Sequence, residues 1–430
     1  MKQLTRYVTM AAIGAGISLS AFSQQVDKII NVKETKRIIS FLASDEMKGR
    51  KTFSPEIDKA ADFIAAEFKN AGLQSMEKNG GYLQSFAMVS PKQKEASATI
   101  NGAAFDAKNV IFLSAQTSLT VNQGSGYKSV SVNKGENLFS VVPGYAGSKE
   151  NLIVWIDTSF SKMFPRLVGL KRSLFKTNNN IILVLGSKAD TYNFTVSQDV
   201  EEKKLANVVG YLPGKSKKDE YVIFSGHYDH IGIGKALNGD SIYNGANDDA
   251  AGITAVILLA KYFKALNNNE RSIIFAAFTA EEIGGFGSRY FSQQLDPAKV
   301  MAMSNIEMIG TDSKWGKNSA YITGYEKTDM GKILQENLKG TGFTFHPDPY
   351  TDQQLFYRSD NATLARLGVP AHTISTSKMD SEPHYHQASD HVETLDLDNM
   401  AMIIKSIAIS AKSIISGKDT PSRVNVDELR

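Results

Sequence analysis

The chain has 430 residues, 42% of them hydrophobic and 22% charged, so it is long enough to bury one large core and to carry a second, smaller domain. Its formal net charge is only +3, and its lysines and arginines are scattered, which argues against nucleic-acid partners and against charge-driven binding to a membrane surface. It contains no cysteine, which excludes disulfides, thiol catalysis and cysteine-bound zinc.

The first residues have the pattern of a signal peptide. A basic start is followed by a charge-free stretch, residues 7–22, that is rich in Ala, Gly, Ile and Leu. The small residues Ala21 and Ser23 precede Gln24 in the pattern of a cleavage site, so we expect residues 1–23 to be removed on export. The alternative is a membrane anchor, for which the apolar stretch is short. We therefore expect a mature chain without an anchor. The absence of disulfides fits a bacterial periplasm or the extracellular medium.

Two regions with different residue patterns follow the predicted signal peptide. Residues 24–85 have helical periodicity, and their clearest helix starts at the N-cap Ser54 and stops at Gly72. Residues 86–203 contain short β-type runs separated by Gly, Asn, Ser and Lys, which predicts an inserted β-rich domain. This stretch has no histidine and no acidic cluster of catalytic type. Gating, stabilising and partner-binding roles all stay open for it.

The segment 204–417 alternates between strands and helices in the manner of an α/β fold. The predicted buried strands and helices are 221–225, 250–266, 272–278, 301–306, 370–375 and 397–415. Residues 418–430 are polar and predict a loose tail. Because ligands bind at the carboxyl ends of strands in open α/β sheets, the residues that follow these strands are the candidates for chemistry.

Imidazole and carboxylate groups follow four of the predicted strands. In chain order they are His227, Glu281 with Glu282, Glu307, and His386. All seven histidines of the chain lie after residue 226, so the candidates for catalysis and metal binding are concentrated in the second half of the sequence. Four strand ends would thus deliver nitrogen and oxygen donors to one rim of the sheet.

A further acidic element, Asn247-Asp248-Asp249, stands just before the helix 250–266. Aspartate is a favoured N-cap residue, so we expect one aspartate to cap the helix and the other to face the rim. Two histidines with three or more carboxylates make a donor set that suits zinc or a similar divalent ion. Five ligands with one shared carboxylate would hold a metal pair about 3.5–4 Å apart.

The sequence resembles the di-zinc exopeptidase family that includes bacterial leucyl aminopeptidases, glutamate carboxypeptidase, transferrin receptor and glutaminyl cyclase. The matching motifs are SGHYD at 225–229, GANDDAAG at 245–252, FTAEEIG at 278–284, NIEMIG at 305–310, SD at 359–360 and YHQASD at 385–390. Each motif alone is weak, but their order and spacing together are specific. The resemblance covers about residues 205–415 and implies a mixed, mostly parallel central sheet flanked by helices. The inserted stretch resembles a protease-associated domain.

The resemblance implies a role for each candidate residue. Asp248 would bridge two Zn²⁺ ions, His227 and Glu307 would complete one site, and Glu282 and His386 would complete the other. Glu281 would be the general base, Asp229 would orient catalytic groups, and Asp360 would lie on the substrate side. The family commonly has Asp at the position of Glu307, which puts the occupancy of that site in question.

The implied function is that of a secreted zinc aminopeptidase that removes the N-terminal residue from peptides with a free N-terminus. The alternatives are a glutaminyl cyclase, a carboxypeptidase in which Arg358 or Arg366 binds the terminal carboxylate, and a non-catalytic receptor-like module. The retained base and full ligand set argue against the last. Neither G-x-S-x-G nor H-E-x-x-H occurs, so serine-hydrolase and zincin mechanisms find no support.

Four other histidines have simpler interpretations. His384 is the alternative to His386 as a ligand, because both belong to one loop. His230 and His391 are expected in exposed loops. His372 lies inside an apolar strand and is expected to be a hydrogen-bonded core residue.

Overall fold

The computed structural model describes residues 26–77 and 80–429. The predicted signal peptide, residues 1–23, lies outside the described residues. Within the two described ranges, no helix is both long and apolar enough to cross a membrane.

All the helices except α3 belong to the larger of two compact units and cover its sheet. The helices with complete bounds are α1 (Val32–Leu42), α2 (Pro55–Ala71), α3 (Leu138–Ala146), α4 (Gly252–Leu266), α5 (Phe286–Ser292), α6 (Met330–Glu336), α7 (Asn361–Ala365), α8 (Leu397–Ser410) and α9 (Lys412–Ile415).

The strands vary from two residues to the long β2 and β10. They are β1 (Gln74–Ser75), β2 (Leu83–Ile100), β3 (Ala103–Phe105), β4 (Val110–Leu113), β5 (Ser118–Asn122), β6 (Lys128–Val132), β7 (Leu152–Ile156), β8 (Leu174–Phe175), β9 (Ile181–Leu185), β10 (Tyr192–Leu212), β11 (Lys217–His227), β12 (Gly232–Leu237), β13 (Asp240–Tyr243), β14 (Arg271–Phe278), β15 (Val300–Ile306), β16 (Ser319–Ile322), β17 (Thr344–Pro347) and β18 (Ala371–Ser375).

The chain divides into two compact units. One contains residues 1–84 and 206–430, and the other contains Ser85–Leu205. The sequence predicts an insertion over 86–203. The chain passes from one unit to the other inside the long strands β2 and β10.

The central sheet of the larger unit has the strand order β17-β16-β18-β15-β11-β14-β10. The pairs β15–β18, β11–β15, β11–β14 and β16–β17 are parallel. The pairs β10–β14 and β16–β18 are antiparallel. Strand β14 is buried at every residue, as expected for a strand that is covered on both faces. The predicted mixed, mostly parallel sheet of an α/β fold is therefore confirmed.

The helices follow from local sequence signals and from burial. Helix α2 begins at Pro55 and ends before Gly72, whose φ of 79° is a left-handed value that suits glycine. The sequence predicts one apolar face for the helix after Asp249, but α4 is buried at every residue from Gly252 to Ala260. The reason is that α4 packs against β11 on one side and against α1 and α8 on the other.

The smaller unit contains its own four-stranded sheet, with the order β4-β9-β7-β6. Strands β7 and β9 are buried at every residue, and their side chains form two apolar clusters, one on each face. Within this unit β5 also pairs with the first part of β10, and β3 and β8 pair with β2. The unit is β-rich, as the runs of β-type residues predict.

The expectation of a loose C-terminal tail is wrong. Arg271 in β14 donates to the carbonyl oxygen of Asp419 at 2.7 Å. Arg423 donates to the carbonyl oxygen of Val300 at 2.7 Å, and Val424 is buried. The polar groups of the tail bond to the strands of the sheet and so hold the tail in place. Composition alone does not reveal such contacts.

Candidate metal centre

Four adjacent parallel strands bring the predicted ligands to one edge of the sheet. His227 is the last residue of β11, and Glu307 directly follows β15. Glu281 and Glu282 lie in the loop after β14, and His386 lies in the long loop after β18. Because β18, β15, β11 and β14 run in the same direction, all five residues emerge at their carboxyl ends.

The first group of donors is His227, Asp248 and Glu307, whose ligand atoms all lie within 4.8 Å of one another. His227 Nε2 is 3.2 Å from Asp248 Oδ1. His227 Nδ1 donates to the carbonyl oxygen of Asp229 at 3.1 Å. This hydrogen bond leaves the lone pair on Nε2, the nitrogen that faces the carboxylates, as is usual for metal-binding histidines.

The second group is His230, Asp248 and Glu282, which are equally close together. His386 reaches the same carboxylates, because its Nε2 is 3.2 Å from Asp248 Oδ2 and 3.3 Å from Glu282 Oε2. Asp248 therefore belongs to both groups. One of its oxygens faces His227 and the other faces His386, as a bridging carboxylate requires.

The prediction of an exposed loop position for His230 is wrong. Its side chain is fully buried, and its Nδ1 lies 2.8 Å from Glu282 Oε1. Gly245 has a φ of +58°, and a Cβ there would lie 2.6 Å from the imidazole ring. The loop before Asp248 thus packs directly on this ring. The signal in the sequence is the second histidine, three residues after His227 and directly after the motif at 225–229.

Asp229 holds the loop that carries the two glutamates. Its Oδ1 accepts from the backbone N–H of Glu281 at 3.0 Å, and its Oδ2 accepts from that of Glu282 at 3.3 Å. Thr52 donates its hydroxyl to Asp229 Oδ2 at 2.9 Å. Asp229 thus holds the backbone of both glutamates, and Thr52 is a supporting residue that sequence reasoning missed.

Two more aspartates hold the loop around Asp248. Asp390 accepts from the backbone N–H groups of Asn247 and Asp248 at 2.8 and 3.1 Å. Asp249 accepts from the N–H of Gly252 in the first turn of α4 at 3.0 Å and from the N–H of His227 at 3.1 Å. Asp249 is therefore the aspartate that caps the helix, which leaves Asp248 free to face the donors.

Arg50 was not singled out by the sequence, yet its guanidinium is fully buried beside the centre. It donates to four backbone carbonyl oxygens at 2.5–2.9 Å, and these belong to Leu42, Tyr228, Asn244 and Gly245. Burial lowers the pKa of Arg50 to about 10, so it stays charged at neutral pH. One cation thus joins the end of α1, the loop after His227 and the loop before Asp248.

Glu281 belongs to neither of the two donor groups among the described residues. Its backbone is fixed by Asp229, as above, while the side chain lies close enough to His227, Asp360 and Glu307 to feel their charges. Burial, reinforced by Asp360 and Glu307, raises the pKa of Glu281 well above its usual range. A carboxylate that is near the donors and outside both groups is placed to exchange a proton.

Three further residues considered in the sequence lie outside both donor groups. His384 Nδ1 lies 2.9 Å from Ser389 Oγ, away from the two donor groups. His372 is buried, with Nδ1 donating to Thr323 O and Nε2 accepting from Thr328 Oγ1, both at 2.8 Å, so the predicted core histidine is confirmed. Asp360 is buried at the start of α7.

Comparison with known proteins shows what this part of the chain resembles. Residues 207–410, slightly less than half of the chain, match the model of peptidase family M28. The matched residues begin in β10 and end with α8, so they include both donor groups and the base candidate.

A curated relative is similar to the same part of the chain in sequence, and two solved structures share its fold. A probable leucine aminopeptidase of Trichophyton verrucosum is 29% identical over 204 residues, which are 45% of this chain and 53% of that protein. The chain thus spans about half the length of the curated relatives it matches. An aminopeptidase from Aneurinibacillus sp. strain AM-1 shares the fold with a TM-score of 0.53 and 18% identity, over 94% of this chain and 98% of that one. An M28 peptidase precursor from Shewanella amazonensis shares the fold with a TM-score of 0.54 and 15% identity, over 95% of this chain and 99% of that one.

The donor set fits zinc in its chemistry and its charge. Nitrogen and oxygen donors of this kind are zinc ligands. Burial and nearby carboxylates raise the pKa of Glu307 to about 7, and burial raises that of Asp360 to about 6. Glu307 Oε2 is buried without a hydrogen-bond partner in the described part of the chain. Such an excess of buried carboxylate is stabilised by bound cations.

A small pocket with a cavity volume of about 40 Å³ lies beside the first donor group. Its lining combines apolar side chains with hydroxyl groups and one exposed arginine: Glu307, Met308, Tyr321, Thr323, Leu355, Arg358, Ser359, Thr373, Ser375, Met379 and Tyr385. The pocket therefore provides a surface next to the donors against which an apolar side chain can pack.

Proposed function

We propose that this chain is a secreted metallo-exopeptidase that hydrolyses the N-terminal residue from peptides, with two Zn²⁺ ions and Glu281 as general base. The observation that carries the proposal is that two donor groups share Asp248, while Glu281 lies beside them and belongs to neither. Shared carboxylates of this kind hold metal pairs in aminopeptidases and phosphatases.

The residues of the centre have separate roles in hydrolysis, some in binding metal and one in proton transfer. His227 and Glu307 would hold one ion, Glu282 and His386 the other, and Asp248 both. Bound there, the pair would lower the pKa of water and polarise the scissile carbonyl group. Glu281 accepts the proton of the attacking water and delivers it to the leaving amine.

Two observations support an N-terminal substrate. The matched relative from Trichophyton verrucosum is named a probable leucine aminopeptidase. The pocket beside Glu307 is partly lined by Met308, Leu355 and Met379, which suits an apolar side chain. We therefore place the side chain of the N-terminal residue in this pocket, with the free α-amine at the carboxylates of the donor groups.

A panel of aminoacyl reporters, together with one peptide in free and N-acetylated forms, tests this function. We expect zinc-dependent release of the first residue from the free peptide and none from the acetylated peptide. Equal turnover of both forms would reject the requirement for a free amine. Conversion of N-terminal glutamine to pyroglutamate without peptide hydrolysis would favour a cyclase instead, and release of the C-terminal residue would favour a carboxypeptidase.

Export is a second part of the proposal, and it rests on the sequence pattern before Gln24. N-terminal sequencing of the protein from its native host should start at Gln24, in the periplasm or the medium. An intact Met1 in a membrane fraction would contradict it.

A further inference from the structure

His230 is a buried donor in the proposed centre to which the proposed function gives no role. Its side chain has no solvent exposure, and its Nε2 has no hydrogen-bond partner within residues 26–77 and 80–429. Within the described part of the chain, the ring makes its hydrogen bond through Nδ1, which lies 2.8 Å from Glu282 Oε1. A histidine in this place either binds a metal directly or fixes a residue that does.

The distances distinguish these two roles. Two ligands of a tetrahedral zinc ion with bonds of about 2.0–2.1 Å lie about 3.3 Å apart. His386 Nε2 meets this value with Asp248 Oδ2, at 3.2 Å, and with Glu282 Oε2, at 3.3 Å. His230 Nδ1 does not, because it is 2.8 Å from Glu282 Oε1 and 3.9 Å from Asp248 Oδ2. The first of these is a hydrogen-bond distance.

The two oxygens of Glu282 therefore have different neighbours. Oε1 faces His230 Nδ1, and Oε2 faces His386 Nε2. A neutral imidazole that donates from Nδ1 would occupy Oε1 and leave Oε2 as the only oxygen directed at the second ion. The carboxylate would then be held in one orientation, as hydrogen bonds to metal ligands commonly achieve.

We propose that His230 is a positioning residue for the second zinc site: it donates from Nδ1 to Glu282 Oε1 and so fixes Glu282 as a single-oxygen ligand. This inference rests on the proposed two-zinc centre. The role suits the local structure, since Glu282 stands on a loop after β14 and not on the strand itself. Gly245, packed against the ring, keeps the imidazole in place.

Two amide variants separate the roles. The amide nitrogen of asparagine is bonded to Cγ, as Nδ1 of histidine is, so His230→Asn keeps a donor near the Nδ1 position. The amide nitrogen of glutamine lies one atom further out, so His230→Gln moves the donor away from Glu282. Neither amide nitrogen is a zinc ligand. His346→Asn is the matched control, because His346 stacks on Trp315 and belongs to neither donor group.

The measurement is zinc content per chain after equilibrium dialysis at buffered free zinc concentrations, with no activity assay. Wild type, His346→Asn and His230→Asn should bind two ions with similar affinities. His230→Gln should keep the first ion, which also shows that it is folded, and should bind the second about 10–100-fold more weakly, the usual cost of losing such a hydrogen bond.

Three results would overturn the role of His230. Equal loss of the second ion in both amide variants would make His230 a direct ligand. Unchanged binding in both would mean that the hydrogen bond does not matter. A wild-type chain that binds fewer than two ions would refute the two-zinc centre itself, and this is recognised without any His230 variant.

Discussion

The two halves of the proposed centre are built differently. In the first half, His227 ends a buried strand and Glu307 directly follows another. In the second half, Glu282 and His386 both stand on loops, and the His386 side chain is 37% exposed with a φ of +55°. Groups held by strands are more precisely placed than groups held by loops. The loop half therefore depends more on supporting hydrogen bonds: Asp229 accepts from the backbone N–H groups of the loop, and His230 Nδ1 lies 2.8 Å from the Glu282 side chain.

This difference predicts unequal metal sites. The ligands His227 and Glu307 of the first half are held at strand ends, so we expect this half to bind zinc more tightly and release it more slowly. The second half opens to solvent at His386, so a chelator should remove its ion first. Substitutions in each half test this difference.

Asp248→Asn should abolish the contrast, because both halves lose their shared charged ligand. We expect almost no bound zinc and no detectable peptide hydrolysis. Metal analysis and a reporter assay measure both effects. Asp398→Asn, an exposed change in α8, is the control and should behave like wild type. Two ions bound to Asp248→Asn would show that Asp248 does not bridge.

Glu281→Gln should leave the metals of both halves in place and slow the reaction. The amide keeps the size of the side chain and removes the proton acceptor, so turnover should fall by about 10²–10⁴-fold. Zinc content is measured in the same samples. Loss of zinc with Glu281→Gln would reverse the roles given to Glu281 and Glu282.

Glu282→Gln and Glu307→Gln should each remove one ion, but a different one. The ion that remains in Glu282→Gln lies in the strand half and should resist a chelator. The ion that remains in Glu307→Gln lies in the loop half and should leave quickly. Stopped-flow release of zinc to a coloured chelator compares the two rates. Equal rates would contradict the contrast between the halves.

His372→Gln should leave both halves unchanged and alter only the pH dependence of stability. Burial lowers the pKa of His372 to about 4, below the value of about 6.5 in an unfolded chain, so the unfolded chain binds more protons between these pH values. The free energy of unfolding of the wild type should therefore fall, relative to the variant, by up to about 3 kcal/mol as the pH drops from 6.5 to 4. Urea unfolding of both metal-free proteins measures it. A constant difference between them would contradict the assignment.

Much of the fold could be predicted from the sequence, because its signals are local. The caps of α2, the apolar strands β11, β14 and β15 and the histidine-free insertion are all readable in short windows. Residues that follow strand ends also share a rim for reasons of topology alone. For this reason His227, Glu282, Glu307 and His386 could be grouped before any coordinates, and their individual roles stay predictions.

The supports of the centre could not be predicted, because they depend on contacts between distant parts of the chain. Thr52 meets Asp229 across 177 residues, and Arg50 meets Tyr228 across 178. A lone threonine or arginine after a helix carries no local signal of such a contact. The exposed position predicted for His230 is wrong for a similar reason. The loop at Gly245 folds over the imidazole ring and buries it, and no local pattern around His230 indicates this contact.

The two-zinc centre is tested most directly by anomalous diffraction at the zinc absorption edge from crystals of the zinc-loaded protein. We expect two peaks about 3.5–4 Å apart on either side of Asp248. One should contact His227 and Glu307, and the other Glu282 and His386, with His230 beyond bonding distance of both. A single peak, or a second peak bound by His230 in place of His386, would contradict it.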